Sequence, residues 1–257
     1  MRERFHSFGL SLVRQGFFVR HVRQSDEVGD STTALFEKPG REQVVSHPLP
    51  VAGRTTVVVM SAEAMARYAG DLSIPDRPIP ISPGIHVEHA TLLADLRSGI
   101  DEAELDARLT WLIGSLVETG SPGRLTGHRA ATVKSHRRIV NYVRETVAAD
   151  PASLDLAGCS AELGHTPFHI SRVFRRMTGT TLIQHRNNIR VAVAIDRLAE
   201  GHESLAKLAA ELGFCDQSHF SRVLRRSVQL PPGRLRDRLF RDERSAAKPD
   251  NDVQDEV

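Results

Sequence analysis

Ala161-Glu-Leu-Gly-His-Thr-Pro-Phe-His-Ile-Ser-Arg-Val-Phe-Arg-Arg176 returns, fifty residues on, as Ala210-Glu-Leu-Gly-Phe-Cys-Asp-Gln-Ser-His-Phe-Ser-Arg-Val-Leu-Arg-Arg226. The Ala-Glu-Leu-Gly block recurs at an offset of 49 and the block from Ser171 at an offset of 50, so the turn between them is one residue longer in the second copy. Upstream, Leu156 matches Leu205 and Cys159 matches Leu208. Such self-similarity marks two copies of one supersecondary unit.

Each copy has helix-turn-helix grammar. A first helix, about 155–163 and then 204–212, presents Leu156, Cys159 and Leu163, or Leu205, Leu208 and Leu212, on one face. Ala161 and Ala210 are small enough for a second helix to approach closely. Gly164 and Gly213 stand where the chain must leave the helix, in the left-handed conformation that glycine tolerates. Thr166-Pro167 supplies an N-cap and a proline at the first helical position, and Asp216 caps the second copy. The second helices then run from Pro167 to about Arg176 and from Gln217 to about Arg226. Ile170, Val173 and Phe174, and Phe220, Val223 and Leu224, are their predicted buried faces.

The opposite faces carry residue types that read DNA. These are Phe168, His169, Ser171 and Arg172 in the first copy, and Gln217, Ser218, Ser221 and Arg222 in the second. Arg bonds guanine bidentately, Gln bonds adenine, and an aromatic ring meets the thymine methyl. Arg175-Arg176 and Arg225-Arg226, near the helix ends, suit phosphates. A lone Arg-rich helix usually shows only a solvated face; here the pattern occurs twice with its turn chemistry intact. Residues 182–199 read as a connector helix with an apolar stripe of Ile183, Val191, Ala194, Ile195 and Leu198. Its length, at about 1.5 Å per residue, suits two recognition helices in adjacent major grooves.

Charge points to the same segment. The chain of 257 residues has a net charge of +2, yet residues 1–127 carry −3, residues 128–241 carry +9 and residues 242–257 carry −4. A basic segment in a near-neutral chain fits a polyanionic partner. The two cysteines are too few for a disulfide framework. Neither an 18-residue apolar run nor a signal-type h-region is present, so a cytoplasmic protein without membrane association is expected.

The N-terminal half reads as short strands over residues 5–60, separated by turn signals at Gly16, Gly29-Asp30, Pro39-Gly40, His47-Pro48 and Gly53. Ser61 to Gly70 reads as a capped short helix, and the four prolines in 71–84 as a loop. From residue 85 the pattern is helical. Leu105, Leu109, Leu112 and Leu116 share one face, which serves either a homodimer through residues 85–119 or the domain's own core. The fold class is therefore α+β: a small antiparallel β domain with helices (1–120), a linker (121–133), an all-α domain of two helix-turn-helix units (134–241) and a disordered acidic tail (242–257).

Residues 134–240 resemble the DNA-binding domain of the AraC/XylS family. The signature is Leu208-Ala-Ala-Glu-Leu-Gly-Phe-Cys-Asp-Gln-Ser-His-Phe-Ser-Arg-Val-Leu-Arg-Arg226 with Pro231-Pro-Gly-Arg-Leu-Arg236; Arg190 and Ala194 match the family's connector helix. The resemblance implies that Phe168, Ser171 and Arg172, then Gln217, Ser218, Ser221 and Arg222, face bases. Arg190 joins the expected phosphate set. Cys159-Ser160, Arg197, Leu224 and Gln229 depart from the family pattern; Gln229 stands where glycine is usual. Leu12 to Arg20, Thr32 to Phe36, Pro39-Gly40 and His47-Pro48 are similar to the cupin-like sensory domain of a subset of these regulators. The resemblance implies a transcription activator that binds double-stranded DNA, works with RNA polymerase and answers to a small-molecule effector.

No nucleophile elbow, P-loop or dinucleotide fingerprint occurs. No cofactor, metal or enzymatic activity is expected, although His6, His21, His47, His86 and His89 keep a cupin-like metal enzyme as the alternative, with an interaction protein that modulates another regulator as a further one.

Overall fold

The computed structural model describes residues 2–4, 6–22, 25–48, 53–120, 130–201 and 204–239, with 2–4 and 130–133 described by backbone alone. Among the described residues, eight strands form two antiparallel sheets. They are β1 (Arg2–Arg4), β2 (Phe8–Gln15), β3 (Phe17–Val22), β4 (Ser25–Asp30), β5 (Thr33–Glu37), β6 (Glu42–Ser46), β7 (Arg54–Met60) and β8 (Ile79–Pro80). One sheet has the order β1-β6-β3-β4 and the other β7-β2-β5-β8. Gly16, at φ 72°, makes the tight turn that carries the chain from one sheet to the other.

Period-two alternation then sorts the side chains. Val13, Phe18 and Leu35 point between the sheets. So does Arg20, fully buried, which pairs with Glu27 at 2.7 Å and Glu37 at 3.0 Å and donates to the Phe36 carbonyl at 2.9 Å. An ion cluster and three apolar side chains thus occupy the space where a cupin-like domain would hold a ligand. Outward from the second sheet, Leu10, Leu12, Ala34 and Phe36 pack with α1 (Ala62–Ala69) and α3 (Glu102–Gly120). The Ser61 cap and terminal Gly70 of α1 are as predicted.

Two expectations change here, and one left open is narrowed. Residues 71–84 are not wholly loop, because Ile79-Pro80 pairs with β5 as an edge strand, where a missing N–H costs nothing. Leu112 and Leu116 of the leucine face are buried in the chain's own core with Ile113 and Val117, and Leu105 and Leu109 are half-buried. Trp111 beside them remains 52% exposed. The expected linker overlaps α4 (Ala130–Ala149) at its end; residues 121–129 and the expected tail, 242–257, lie outside the described residues.

The outer face of the first sheet meets the helical half directly. Phe17, Val19 and Val28 share one core with Val87 and Ala90 of α2 (Pro83–Ser98), Ile139, Val143 and Val147 of α4, and Ile189 and Val193 of α7 (Leu182–Ala199). Polar contacts seal the seam. Arg144 of α4 donates to Asp30, wholly buried at the end of β4, at 2.7 Å. Arg54 reaches Asp196 at 2.8 Å and also pairs with Glu200. Asn141 donates to the Asp26 carbonyl at 3.0 Å. The connector α7 is therefore covered on nearly every side rather than along one stripe. Ile183 departs from the predicted stripe: it is 60% exposed in the first turn, where Leu182 fills the core instead.

Candidate nucleic-acid interface

The two units build alike. In the first, α5 (Leu156–Leu163) ends at Gly164, with φ 66°, and α6 (Pro167–Thr178) starts under Thr166, whose side chain accepts from the His169 N–H at 3.3 Å. In the second, α8 (Leu205–Glu211) is followed by Gly213, with φ 71°, and α9 (Gln217–Val228) starts under Asp216, which accepts from the His219 N–H at 2.6 Å. Both recognition helices run two residues past the predicted end. A closing helix, α10 (Pro232–Leu239), packs Leu235 and Leu239 into the core. Ile170, Val173 and Phe174 anchor α6, and Phe220 and Leu224 anchor α9, with Val223 only half-buried.

These anchors turn the predicted reading faces outward. Phe168 is 74% exposed, a large apolar side chain held in solvent at the start of α6. Arg172 is exposed, and His169 and Ser171 are half-buried beside it. On α9, Gln217, Ser218 and Arg222 are exposed and Ser221 is half-buried. Arg175, Arg176, Arg225 and Arg226 are exposed in the last turns of their helices.

Arg190 does not belong with them. It is 3% exposed, donates from Nε to the Pro151 carbonyl at 2.7 Å and from Nη2 to the Ala152 carbonyl at 2.8 Å, and lies over the Phe214 ring. Burial, with Arg186 nearby, lowers its pKa to about 10, so it stays charged at neutral pH. A guanidinium held in that place is out of reach of a phosphate, and its contacts lie within the chain.

Sequence reasoning also missed His136 and His165. Arg176 Nη2 lies 2.9 Å from His136 Nδ1, which sets the α6 arginine against α4. The ring of His165, in the turn, lies 4.7 Å from that of His169. Nothing in the repeat points to His136, which lies on a helix outside it. His86 and His89, the pair available to a metal reading, are both buried within α2. Burial lowers their pKa values to about 4 and about 3. Among the described residues no group of three or more His, Cys, Asp or Glu could hold a metal ion, and no helix is long and apolar enough to cross a membrane.

Two capped helix pairs on one connector, each exposing Arg and an aromatic or amide side chain from its second helix, define a DNA-binding transcription regulator. A family profile described as a helix-turn-helix domain matches residues 159–238. The regulatory protein SoxS of Salmonella typhimurium is 28% identical over 108 residues, covering 41% of this chain and 99% of SoxS. The MmsAB operon regulatory protein of Pseudomonas aeruginosa is 29% identical over 105 residues, covering 41% of this chain but 33% of its own length. Among solved structures, ToxT of Vibrio cholerae aligns over 92% of this chain and 90% of its own, at 12% identity and a TM-score of 0.38. Its helix-turn-helix region, residues 159–238, is thus similar to that of AraC-type regulators.

Proposed function

We propose that one copy of this chain reads two adjacent major grooves, with α6 in one and α9 in the next. The carrying observation is that both recognition faces stay exposed while the helices between them are locked in a shared core. The 18-residue connector spans roughly 27 Å at 1.5 Å per residue, close to the roughly 34 Å between successive turns of one groove. Phe168, His169, Ser171 and Arg172, with Gln217, Ser218, Ser221 and Arg222, contact bases. Arg175, Arg176, Arg225 and Arg226 contact phosphates. The protein acts in the cytoplasm as an activator, working with RNA polymerase and carrying no catalytic site. The N-terminal domain is its regulatory half, and an effector would bind outside the filled space between the sheets. A homodimer through residues 85–119 is not part of this reading, because two of the four leucines that suggested it, Leu112 and Leu116, are in the chain's own core.

Binding-site selection on variants tests the tandem reading. Arg172→Ala and Arg222→Ala should each weaken binding by about 1–3 kcal/mol and relax preference at one or two base pairs. The two relaxed positions should lie about 10 base pairs apart. Relaxation at the same base pair in both variants, or uniform weakening on every sequence, contradicts it.

A further inference from the structure

Two contacts join the segment leading into the first unit to the turn of the second. Gly213 lies so close to that segment that a Cβ on it would stand 2.7 Å from the Ala152 carbonyl oxygen and 2.8 Å from the Ala152 Cα. Arg190, midway along α7, holds the same place from the side. Its Nε and Nη2 bond the Pro151 and Ala152 carbonyls at 2.7 and 2.8 Å, and its guanidinium carbon lies 4.9 Å from the centroid of the Phe214 ring. Phe214 is itself buried, with its ring 5.2 Å from that of Phe220 in α9. One buried side chain on the connector thus touches both the residues that precede α5 and the turn that precedes α9.

We propose that Arg190 is a positioning residue: it fixes the separation and rotation of the two recognition helices, and so the base-pair spacing that the protein accepts. The inference rests on the tandem reading above. The chemistry of the side chain suits the task. A guanidinium is planar, with N–H groups diverging at its edge and a face free to stack, so it satisfies two carbonyls and covers a ring at once. A lysine ammonium is a single point of charge without a face. Removing the guanidinium leaves two carbonyls without their donor and the Phe214 ring without its cover. Beside the shared apolar core, the contact between this segment and the second turn then rests on backbone proximity at Gly213, which resists compression but not separation.

The test uses the full chain and a duplex bearing both half-sites selected by the unaltered protein, with spacers lengthened or shortened by one to three base pairs. Each added base pair turns one half-site by about 34° around the helix axis. The unaltered protein should lose about tenfold or more in affinity for each, within the range of a mismatched contact. Arg190→Met and Phe214→Leu should bind the native spacing roughly three- to tenfold more weakly, but lose only about threefold on respacing, with base preferences inside each half-site unchanged. Arg190→Lys should fall between. Phe214→Leu keeps an apolar filler, so the question survives if Arg190→Met fails to fold. Weakening by one common factor at every spacing, in the variants that fold, means a merely structural role and overturns the proposal. If the unaltered protein itself selects a single half-site, the tandem reading fails first, and that outcome is visible before any variant is made.

Discussion

Gly164 and Gly213 hold equivalent places in the repeat, yet a Cβ on Gly164 meets nothing within 4 Å and one on Gly213 would collide with Ala152 and Arg190. Around them the same contrast continues. His165 follows Gly164 half-exposed, while Phe214 follows Gly213 buried beneath a guanidinium. The helix after each turn is capped by a side-chain oxygen in both copies. A duplicated unit therefore keeps the chemistry that makes its own turn and diverges where it touches other parts of the chain. The first turn is open to a partner; the second is braced from behind.

The largest expected effect lies where both units share support. The connector contributes His185, and α2 contributes His86 and His89, to the seam with the sheets. Burial lowers the pKa of each from 6.5, to about 4, about 4 and about 3 respectively. The unfolded chain binds protons at these sites that the folded chain refuses. Stability is thus full above about pH 6.5 and is lost as pH falls toward 4. Proton uptake on unfolding should approach three near pH 5, measured as the slope of unfolding free energy against pH. Asp30 behaves differently. Burial opposes its charge, but Arg144 and Thr32 outweigh that, with His185 adding its pull only once protonated, and hold the carboxyl well below its usual range, so its contribution persists through this window. A flat profile between pH 7 and 4.5 contradicts neutral buried histidines and leaves the connector without its shared core.

Next in size is the glycine pair itself. Gly164→Ala should cost about 1–2 kcal/mol, the strain of a left-handed conformation with a Cβ in open space. Gly213→Ala carries the same strain plus an overlap with backbone, and overpacking of that kind adds about 1–3 kcal/mol. Denaturant midpoints of the two variants measure the difference directly. Equal losses would mean that the backbone at Ala152 yields freely, and the contrast between an open turn and a braced one would disappear.

How much of this was legible follows from the same contrast. Caps, left-handed glycines and apolar spacing are local, so the helix pairs and their exposed faces emerge from Thr166, Asp216, Gly164 and Gly213 with boundaries close to those observed. Arg190 was misread because an arginine on a basic connector looks like a phosphate contact. Its burial depends on Pro151 and Phe214, which are distant in sequence. Ile79-Pro80 gave no strand signal, because two residues with a proline carry no periodicity; only an edge of β5 makes them a strand. The leucines of α3 showed that a face is buried but not against what. Burial of the whole connector was equally hidden, since the sheets that cover it lie in the other half of the chain.

The smallest effect concerns the end of each recognition helix. Gly179 ends α6 at φ 77°, and Gln229, its counterpart fifty residues on, ends α9 at φ 59°. Gln229 is the one non-glycine residue with positive φ among the described residues. A Cβ in that conformation costs about 1–2 kcal/mol. Two terms return part of it. Glutamine restricts the unfolded chain more than glycine does, by about 0.4–1 kcal/mol. Its Nε2 also donates to the Arg226 carbonyl at 2.9 Å, an exposed bond at the weak end of a typical 0.5–1.5 kcal/mol. Gln229→Gly should therefore stabilise the chain by only about 0.5 kcal/mol, a rise in melting temperature of about 1–2 °C for a chain of this size. Base preference should not change, because Arg222 and Gln217 lie about two turns or more back along α9; any change in affinity would act through Arg226, whose carbonyl Gln229 bonds. Gly179→Gln should move the melting temperature the other way. If Gln229→Gly lowers it instead, the side-chain bond to Arg226 outweighs the strain, and the second copy holds its last-turn arginines by a device that the first copy lacks.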